Sequence, residues 1–538
     1  MTAARRGRVI RVGDRSPAGL SFTVGVEATA DLAYDARRAD ALVTVHAQVQ
    51  GGAAPAPRAA EVLIMDRSLS MAALGKLDAA KEAVCAAVDS VRDGTYLGIV
   101  AGHHKAEVLW PPGGRLAPVD AAAKAAAKRR IRGRLPEGGT AIGSWLACAR
   151  DLFATVPAEG TVRHAVLYTD GKDEHETPEE LGTVLAACRD RFVCDARGLG
   201  EDWDYAELLR ITAALHGDAK AVIAVSDLTR DLTELMEQAR LLVVPRTYLG
   251  LRLNEHFTLG FVRQTLPVQA DLTGRPEPRD GELHIPLGAW SPGVRQYQVS
   301  LRFDPEALEV DEELRAARIT LRTERDGERP ACAESRPMAV RRRSTPGSRT
   351  LVPDSLTRVE SERELGMAMR ACADAWQARD TVRADHELRL ALELAERLGD
   401  AVRLGLLRSL AEADADPEPD ADRGGDPGGG PPRLRPDVTR GEMQRLGLDS
   451  TRTGTARPGA GLPHDPLAPA PSPTPSRVRC PRCGTTTTAA VLLFCENCGA
   501  RLDAEVRPEA PNGGGRPDGA DGAEGAGDSG RGFPADAS

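Results

Sequence analysis

Five uninterrupted apolar runs alternate with amphipathic segments between residues 60 and 240: Val62-Leu63-Ile64-Met65, Leu97-Gly98-Ile99-Val100, Ala165-Val166-Leu167-Tyr168, Phe192-Val193-Cys194 and Val222-Ile223-Ala224-Val225. A strand that is apolar on both faces has to be covered on both, and a parallel sheet with helices above and below does this. The intervening segments carry helical spacing, with Leu77, Ala80, Val84, Ala87 and Val91 in one and Leu181, Val184, Leu185 and Cys188 in another. Strand and helix alternating in this way predict a doubly wound α/β domain over 59–240. Ligands of such domains bind outside the carboxyl ends of the strands.

On either side the period changes to two. Leu20, Phe22, Val24 and Val26 alternate with polar or small residues, as do Val43, Val45, Ala47 and Val49, and both stretches read as half-buried strands. Beyond the α/β block, Tyr297, Val299, Leu301 and Phe303, then Ile319 and Leu321, share faces and predict an antiparallel β unit over 241–330. The strands of 1–58 need a partner, so both ends of the α/β domain are expected to feed one β-sandwich. Ser361-x-x-Glu364 has the form of a capping box, opening a helix that carries Leu365, Met369, Cys372 and Trp376. Stripes at Leu388, Leu392, Ala395 and Leu398, then Leu404, Leu407 and Leu410, complete a helical hairpin or three-helix unit over 355–412. Residues 413–474 and 505–538 are dominated by Asp, Pro, Gly and Ala and cannot bury enough apolar surface to offset chain entropy. A disordered linker, except around Val438 to Leu448, and a disordered tail are expected there. A chain of 538 residues divided in this way is multidomain.

A formal net charge of -9 argues against a strongly basic nucleic-acid binder. No apolar segment follows the basic start Met1-Thr-Ala-Ala-Arg-Arg-Gly-Arg, and no run approaches membrane-spanning length, so a soluble cytoplasmic protein is expected. Cys85, Cys148, Cys188, Cys194, Cys332 and Cys372 are scattered without a spacing rule, which suggests buried free thiols instead of a disulfide framework.

Three short stretches stand out chemically: Asp66-Arg67-Ser68-Leu69-Ser70-Met71, Gly138-Gly139-Thr140 and Thr169-Asp170-Gly171. Two carboxylates, two serine hydroxyls and a threonine hydroxyl suit a hard cation such as Mg²⁺ or Mn²⁺. Asp66 and Asp170 directly follow apolar strands and Thr140 precedes a helical pattern, so all three stretches fall in suitable loops. Set side by side, they resemble the metal-ion-dependent adhesion site (MIDAS) of the von Willebrand factor type A domain, whose fold is Rossmann-like. The resemblance implies that Ser68, Ser70 and Thr140 bind metal directly while Asp66 and Asp170 act through water. Leu69 stands where many members have glycine, at a position that carries no ligand atom. Gly139-Thr-Ala-Ile-Gly-Ser-Trp145, His164 to Glu176, Cys194 to Trp203 and Asp437 to Met443 extend the likeness to bacterial, especially actinobacterial, multidomain relatives.

Asp173, Glu174, His175 and Glu176 either add charge around the cation or form a solvated loop, and the loop is the expectation. His103 and His104 read as ordinary edge residues in the absence of a nucleophile or paired base. The threonines at 451, 453 and 455 and at 485–488 read as unmodified polar sequence.

Cys480-Pro-Arg-Cys483-Gly and Cys495-Glu-Asn-Cys498-Gly form two C-x-x-C knuckles that can enclose Zn²⁺ tetrahedrally. The segment 477–504 resembles a zinc ribbon, and four thiolates close the coordination sphere around a structural ion.

The reading that follows is a non-enzymatic scaffold that captures a partner's Asp or Glu through the adhesion-site cation. An adaptor subunit for an ATPase or Ser/Thr kinase is an alternative, although no G-x-x-x-x-G-K loop is present in this chain. A nucleic-acid-binding ribbon is another, disfavoured by the acidic balance.

Overall fold

The computed structural model describes residues 19–49, 57–345, 349–412 and 432–453, together with the backbone of two short strands near the C-terminus. Strands β1 (Leu20–Ala28), β2 (Asp31–Leu32) and β3 (Arg38–Val49) come first. The α/β domain runs β4 (Arg58–Asp66), a 3-10 segment (Leu69–Gly75), α1 (Lys76–Ser90), β5 (Tyr96–Gly102), β6 (Ala106–Trp110), β7 (Ala117–Pro118), α2 (Ala121–Arg132) and α3 (Ile142–Phe153). It continues with β8 (Thr161–Thr169), α4 (Pro178–Cys188), β9 (Val193–Leu199), α5 (Tyr205–Leu215), β10 (Ala219–Val222) and α6 (Leu228–Ala239).

Local chemistry sets several of these boundaries. The Asp204 carboxylate accepts the amides of Ala206 and Glu207 and starts α5, while Thr177 and Glu180 form a reciprocal capping box with Pro178 at the first helical position of α4. The sheet order is β10-β9-β8-β4-β5-β6, with β7 also on β5, and the pairs from β10 through to β5 are parallel. The chain leaves β4 for β5 on one side and returns through α3 to β8 on the other. The carboxyl end of β4 is therefore the topological switch point, where a crevice opens between the two directions of winding. Helices α3, α4 and α5 cover one face through Trp145, Leu146, Leu185 and Leu208, and α1, α2 and α6 cover the other through Val84, Val88, Ile131 and Leu232.

The remaining strands are β11 (Val244–Leu253), β12 (Phe257–Leu266), β13 (Ala270–Asp271), β14 (Glu277–Arg279), β15 (Glu282–Trp290), β16 (Gly293–Phe303), β17 (Glu313–Thr323) and β18 (Arg336–Arg342). One sheet has the order β1-β3-β16-β12-β13 and the other β14-β15-β11-β17-β18-β2. Phe22, Val43, Val299 and Leu301 of the first meet Leu249, Ile285, Leu321 and Val340 of the second in a common core, which makes the pair a β-sandwich. Strand β18 carries this sandwich to Arg342, past the expected limit at residue 330. Strand β3 is buried on both faces instead of one, because Leu42 on its outer side packs against Leu356 and Val359.

Helices α7 (Asp354–Gln377), α8 (Thr381–Leu398), α9 (Ala401–Leu410) and α10 (Arg440–Asp449) follow. Ser361 does not cap a helix: α7 starts seven residues earlier, since its first turns are held by the packing of Leu356 and Val359 on the sandwich. Within the expected linker, the stretch excepted around Val438 to Leu448 holds α10, and described structure extends beyond it over 432–453. There α10 buries Met443 and Leu446 in a core shared with α5, α7 and α8, and Gln444 Oε1 accepts the Tyr205 amide at 2.8 Å. The six scattered cysteines are free thiols, five buried and Cys148 half-buried. Among the described residues no helix is long and apolar enough to cross a membrane.

A second unit spans 461–538, in which β19 (Arg477–Arg479) pairs antiparallel with β20 (Thr486–Thr488). Cys480, Cys483, Cys495 and Cys498 lie outside the described residues.

Candidate metal centre

The three oxygen-bearing stretches meet at the switch point. Asp66 ends β4 and is fully buried; its Oδ1 accepts the Ser68 amide at 2.7 Å and its Oδ2 accepts the Thr169 hydroxyl at 2.7 Å. Burial pushes the Asp66 carboxyl up to about 6, partly offset by these hydrogen bonds and reinforced by the nearby Asp170 charge. Ser70 Oγ donates to Asp170 Oδ1 at 2.6 Å and lies 2.9 Å from Ser68 Oγ. A hydroxyl has a single proton, so Ser68 is the donor in the serine pair. Asp170 follows β8 and is fully buried. At Gly171 a Cβ would stand 3.3 Å from Thr140 Oγ1 and 3.8 Å from Ser70 Oγ, so the glycine lets the second and first loops close on the third. Asp66, Ser68, Ser70, Thr140 and Asp170 are therefore brought together by tertiary structure.

Neighbouring residues hold the three loops in place. The Arg67 amide donates to Gly102 O, the Leu69 amide to Gly138 O and the Glu137 amide to Arg67 O, each at 2.8 Å. The Arg67 guanidinium adds Glu137 at 2.8 Å, Glu107 at 3.2 Å and the Leu135 carbonyl at 3.2 Å. His104 lies against Gly138 and His175 against Gly139, so close that a Cβ at either glycine would come within 2.1 Å of the ring. Together with buried His103, whose Nδ1 is 3.0 Å from that of His104, these imidazoles wall the glycine loop.

In the acidic run after Asp170, Glu174 and His175 are exposed as expected of a solvated loop, but Asp173 and Glu176 are not free in solvent. Asp173 Oδ2 accepts the Ile142 amide at 2.9 Å, and the two Glu176 oxygens accept the amides of Gly143 and Ser144 at 2.5 and 2.8 Å. These carboxylates satisfy the orphan donors and the positive dipole end of α3, which has no N-cap side chain of its own. Burial, with a hydrogen bond that the protonated Glu176 donates to Asp173, pushes the Glu176 carboxyl up to about 7.

Sequence reasoning missed Lys76. Its Nζ donates to Asp170 Oδ2 at 2.8 Å as a buried ion pair. A signal was present, because a cation at the first position of a helix opposes the macrodipole and calls for a nearby anion. Thr169 stood in the third stretch, but its bracing of Asp66 was not foreseen.

All five groups offer oxygen, the chemistry that Mg²⁺ and Mn²⁺ prefer. Three of the five are hydroxyls, and among the described residues no cluster of three His, Cys, Asp or Glu side chains forms a metal site of another kind.

A von Willebrand factor type A domain family matches residues 60–221, from β4 to β10. No curated protein matches the sequence. Among solved structures, the von Willebrand factor type A protein from Catenulispora acidiphila is 30% identical, with a TM-score of 0.74 over 82% of this chain and 98% of its own. The ArnB paralog VWA2 from Sulfolobus acidocaldarius is 12% identical, with a TM-score of 0.47 over 80% of this chain and 98% of its own. Proximal thread matrix protein 1 from the mussel byssus, solved with a zinc-occupied MIDAS motif, is 23% identical, with a TM-score of 0.29 over 34% of this chain and 46% of its own. With a 30% identical relative covered over 98% of its length, the chain belongs to the von Willebrand factor type A family.

Proposed function

We propose that this protein is a non-enzymatic scaffold whose Asp66, Ser68, Ser70, Thr140 and Asp170 hold Mg²⁺ or Mn²⁺ and, through it, capture an Asp or Glu of a protein partner. The observation that carries the reading is the convergence of these five oxygen donors from three loops at the carboxyl end of β4. When bound, the cation supplies an electropositive coordination position for a partner carboxylate. The protein's own part is to pre-form the cradle: Thr169 fixes the Asp66 rotamer, Arg67 ties the first loop to the second, and Gly171 gives the hydroxyls room. Leu69 is 63% exposed between the two serines and gives the rim an apolar contact beside the carboxylate.

The reading extends to a cytoplasmic setting and to Zn²⁺ on Cys480, Cys483, Cys495 and Cys498, supported by the two C-x-x-C knuckles. Isothermal titration of Mg²⁺ into the full chain and into Asp66→Ala, followed by affinity capture with and without EDTA, tests the site. Mg²⁺ binding and partner capture are expected to be lost together in Asp66→Ala and in EDTA. Equal capture under all conditions rules the mechanism out.

A further inference from the structure

Lys76 is the one buried cation that reaches the five oxygen donors among the described contacts of Asp66 and Asp170. Its side chain is 9% exposed and the Asp170 carboxylate is 0% exposed. An ammonium is retained in such a place only beside a charge of opposite sign. Three elements build the position. Lys76 opens α1, Asp170 follows β8, and Gly200 follows β9, where a Cβ would lie 3.5 Å from both Cε and Nζ of the lysine. Gly200 has a φ of +74°, and its amide donates to Val222 O at 3.0 Å, so backbone pairing holds this third side. Asp170 is divided between two donors, with Oδ2 taken by the ammonium and Oδ1 by the Ser70 hydroxyl.

We propose that Lys76 is a tethered cation that weakens the site's hold on a divalent ion and, once that ion is bound, makes the site select a singly charged carboxylate ligand. The inference rests on the metal-binding reading above. Two carboxylates and one ammonium leave the protein's own groups with one net negative charge. A divalent ion converts this to one net positive charge, and a single ligand carboxylate brings it to neutrality. Without the lysine the loaded site is already neutral, and a ligand carboxylate leaves an excess negative charge in a poorly solvated crevice. The same residue therefore opposes metal entry and favours the anion that follows, both through Coulomb interaction at short range.

The experiment uses Mn²⁺ alone as the first probe and acetate as the second, on the full chain. Free Mn²⁺ is followed by electron paramagnetic resonance, and acetate binding to the loaded protein by loss of water-proton relaxation enhancement. Lys76→Gln and Lys76→Met are each expected to bind Mn²⁺ about tenfold more tightly and acetate about tenfold more weakly than the unsubstituted chain. Lys76→Arg, which keeps the charge, is expected to stay nearer the unsubstituted values for both probes. Unchanged or weaker Mn²⁺ binding in the neutral variants, with the unsubstituted chain still binding, overturns the role of Lys76 and leaves the metal site intact. Absence of Mn²⁺ binding in the unsubstituted chain instead defeats the metal reading itself. If neither neutral variant folds, crystals of the unsubstituted chain soaked in Mn²⁺ decide: the expected result is Nζ still on Asp170 beside the ion, and a lysine displaced from Asp170 overturns the proposal.

Discussion

The central strands β4, β8 and β9 carry a buried charge cluster at each end, and the two clusters are finished differently. At the amino end, His164 Nδ1 lies 2.7 Å from Glu61 Oε2 and its Nε2 lies 2.9 Å from Asp195 Oδ2. Burial alone would push this imidazole down, but the two carboxylates outweigh it and hold the group at about 10, so it is an imidazolium with both N–H groups used. Asp195 keeps its carboxyl below the usual range against burial, through His164 and Arg197. Five residues further along β4 and six along β8, about 17 Å away, Asp66 and Asp170 share a single buried ammonium with a set of hydroxyls, of which Ser70 is exposed. Both clusters cost desolvation. Each sets two carboxylates against one cation, but the first is closed by protein groups alone, whereas the second keeps an exposed hydroxyl, Ser70, beside its carboxylates.

The largest expected effect lies at the closed end. His164→Leu leaves Glu61 and Asp195 buried without their cation and should destabilise the fold by about 3–5 kcal/mol in urea denaturation, with Mg²⁺ affinity unchanged. A loss no greater than that of Ser70→Ala would break the comparison.

The pH dependence of the same brace sharpens it. Because the folded pKa of His164 is raised to about 10 from 6.5, its contribution is complete below about pH 6.5 and is lost as pH rises through 10. The urea midpoint of the unsubstituted chain should fall over that window, and His164→Leu should show a flatter profile.

Smaller changes are expected around the open end. Gly139→Ala drives a Cβ to 2.1 Å from His175 Cε1 and should cost about 1–3 kcal/mol while weakening Mg²⁺ binding through displacement of Thr140. Full metal affinity in that variant would show that the glycine loop does not set the site. Ser70→Ala removes an exposed hydroxyl and should change stability by about 1 kcal/mol or less, yet greatly reduce Mg²⁺ affinity by titration. The ratio of the two effects, stability against binding, is the quantity that should invert between the ends.

Much of this was legible in the residues because it depends on local pattern. Runs such as Val62–Met65 and Ala165–Tyr168 announce strands buried on both faces, and D-x-S-x-S after one strand and Thr-Asp-Gly after another place oxygen donors in loops by their position alone. What misled was also local. Ser361 and Glu364 have capping-box spacing, but α7 extends through them because contacts with Leu42, distant in the sequence, stabilise earlier turns. The run Asp173 to Glu176 is as polar as any solvated loop, yet its carboxylates cap α3 across the crevice.

The sequence by itself determined the alternation of strand and helix and the flanking two-residue period, since each follows from side-chain chemistry at short spacing, and its likeness to a known family singled out the five oxygen-bearing residues. Only the tertiary structure decided that α10 joins the core and that His164 bridges two carboxylates. It also decided that Lys76 lies on Asp170, because a charge finds its partner across strands and helices that the chain brings together, here from 94 residues apart.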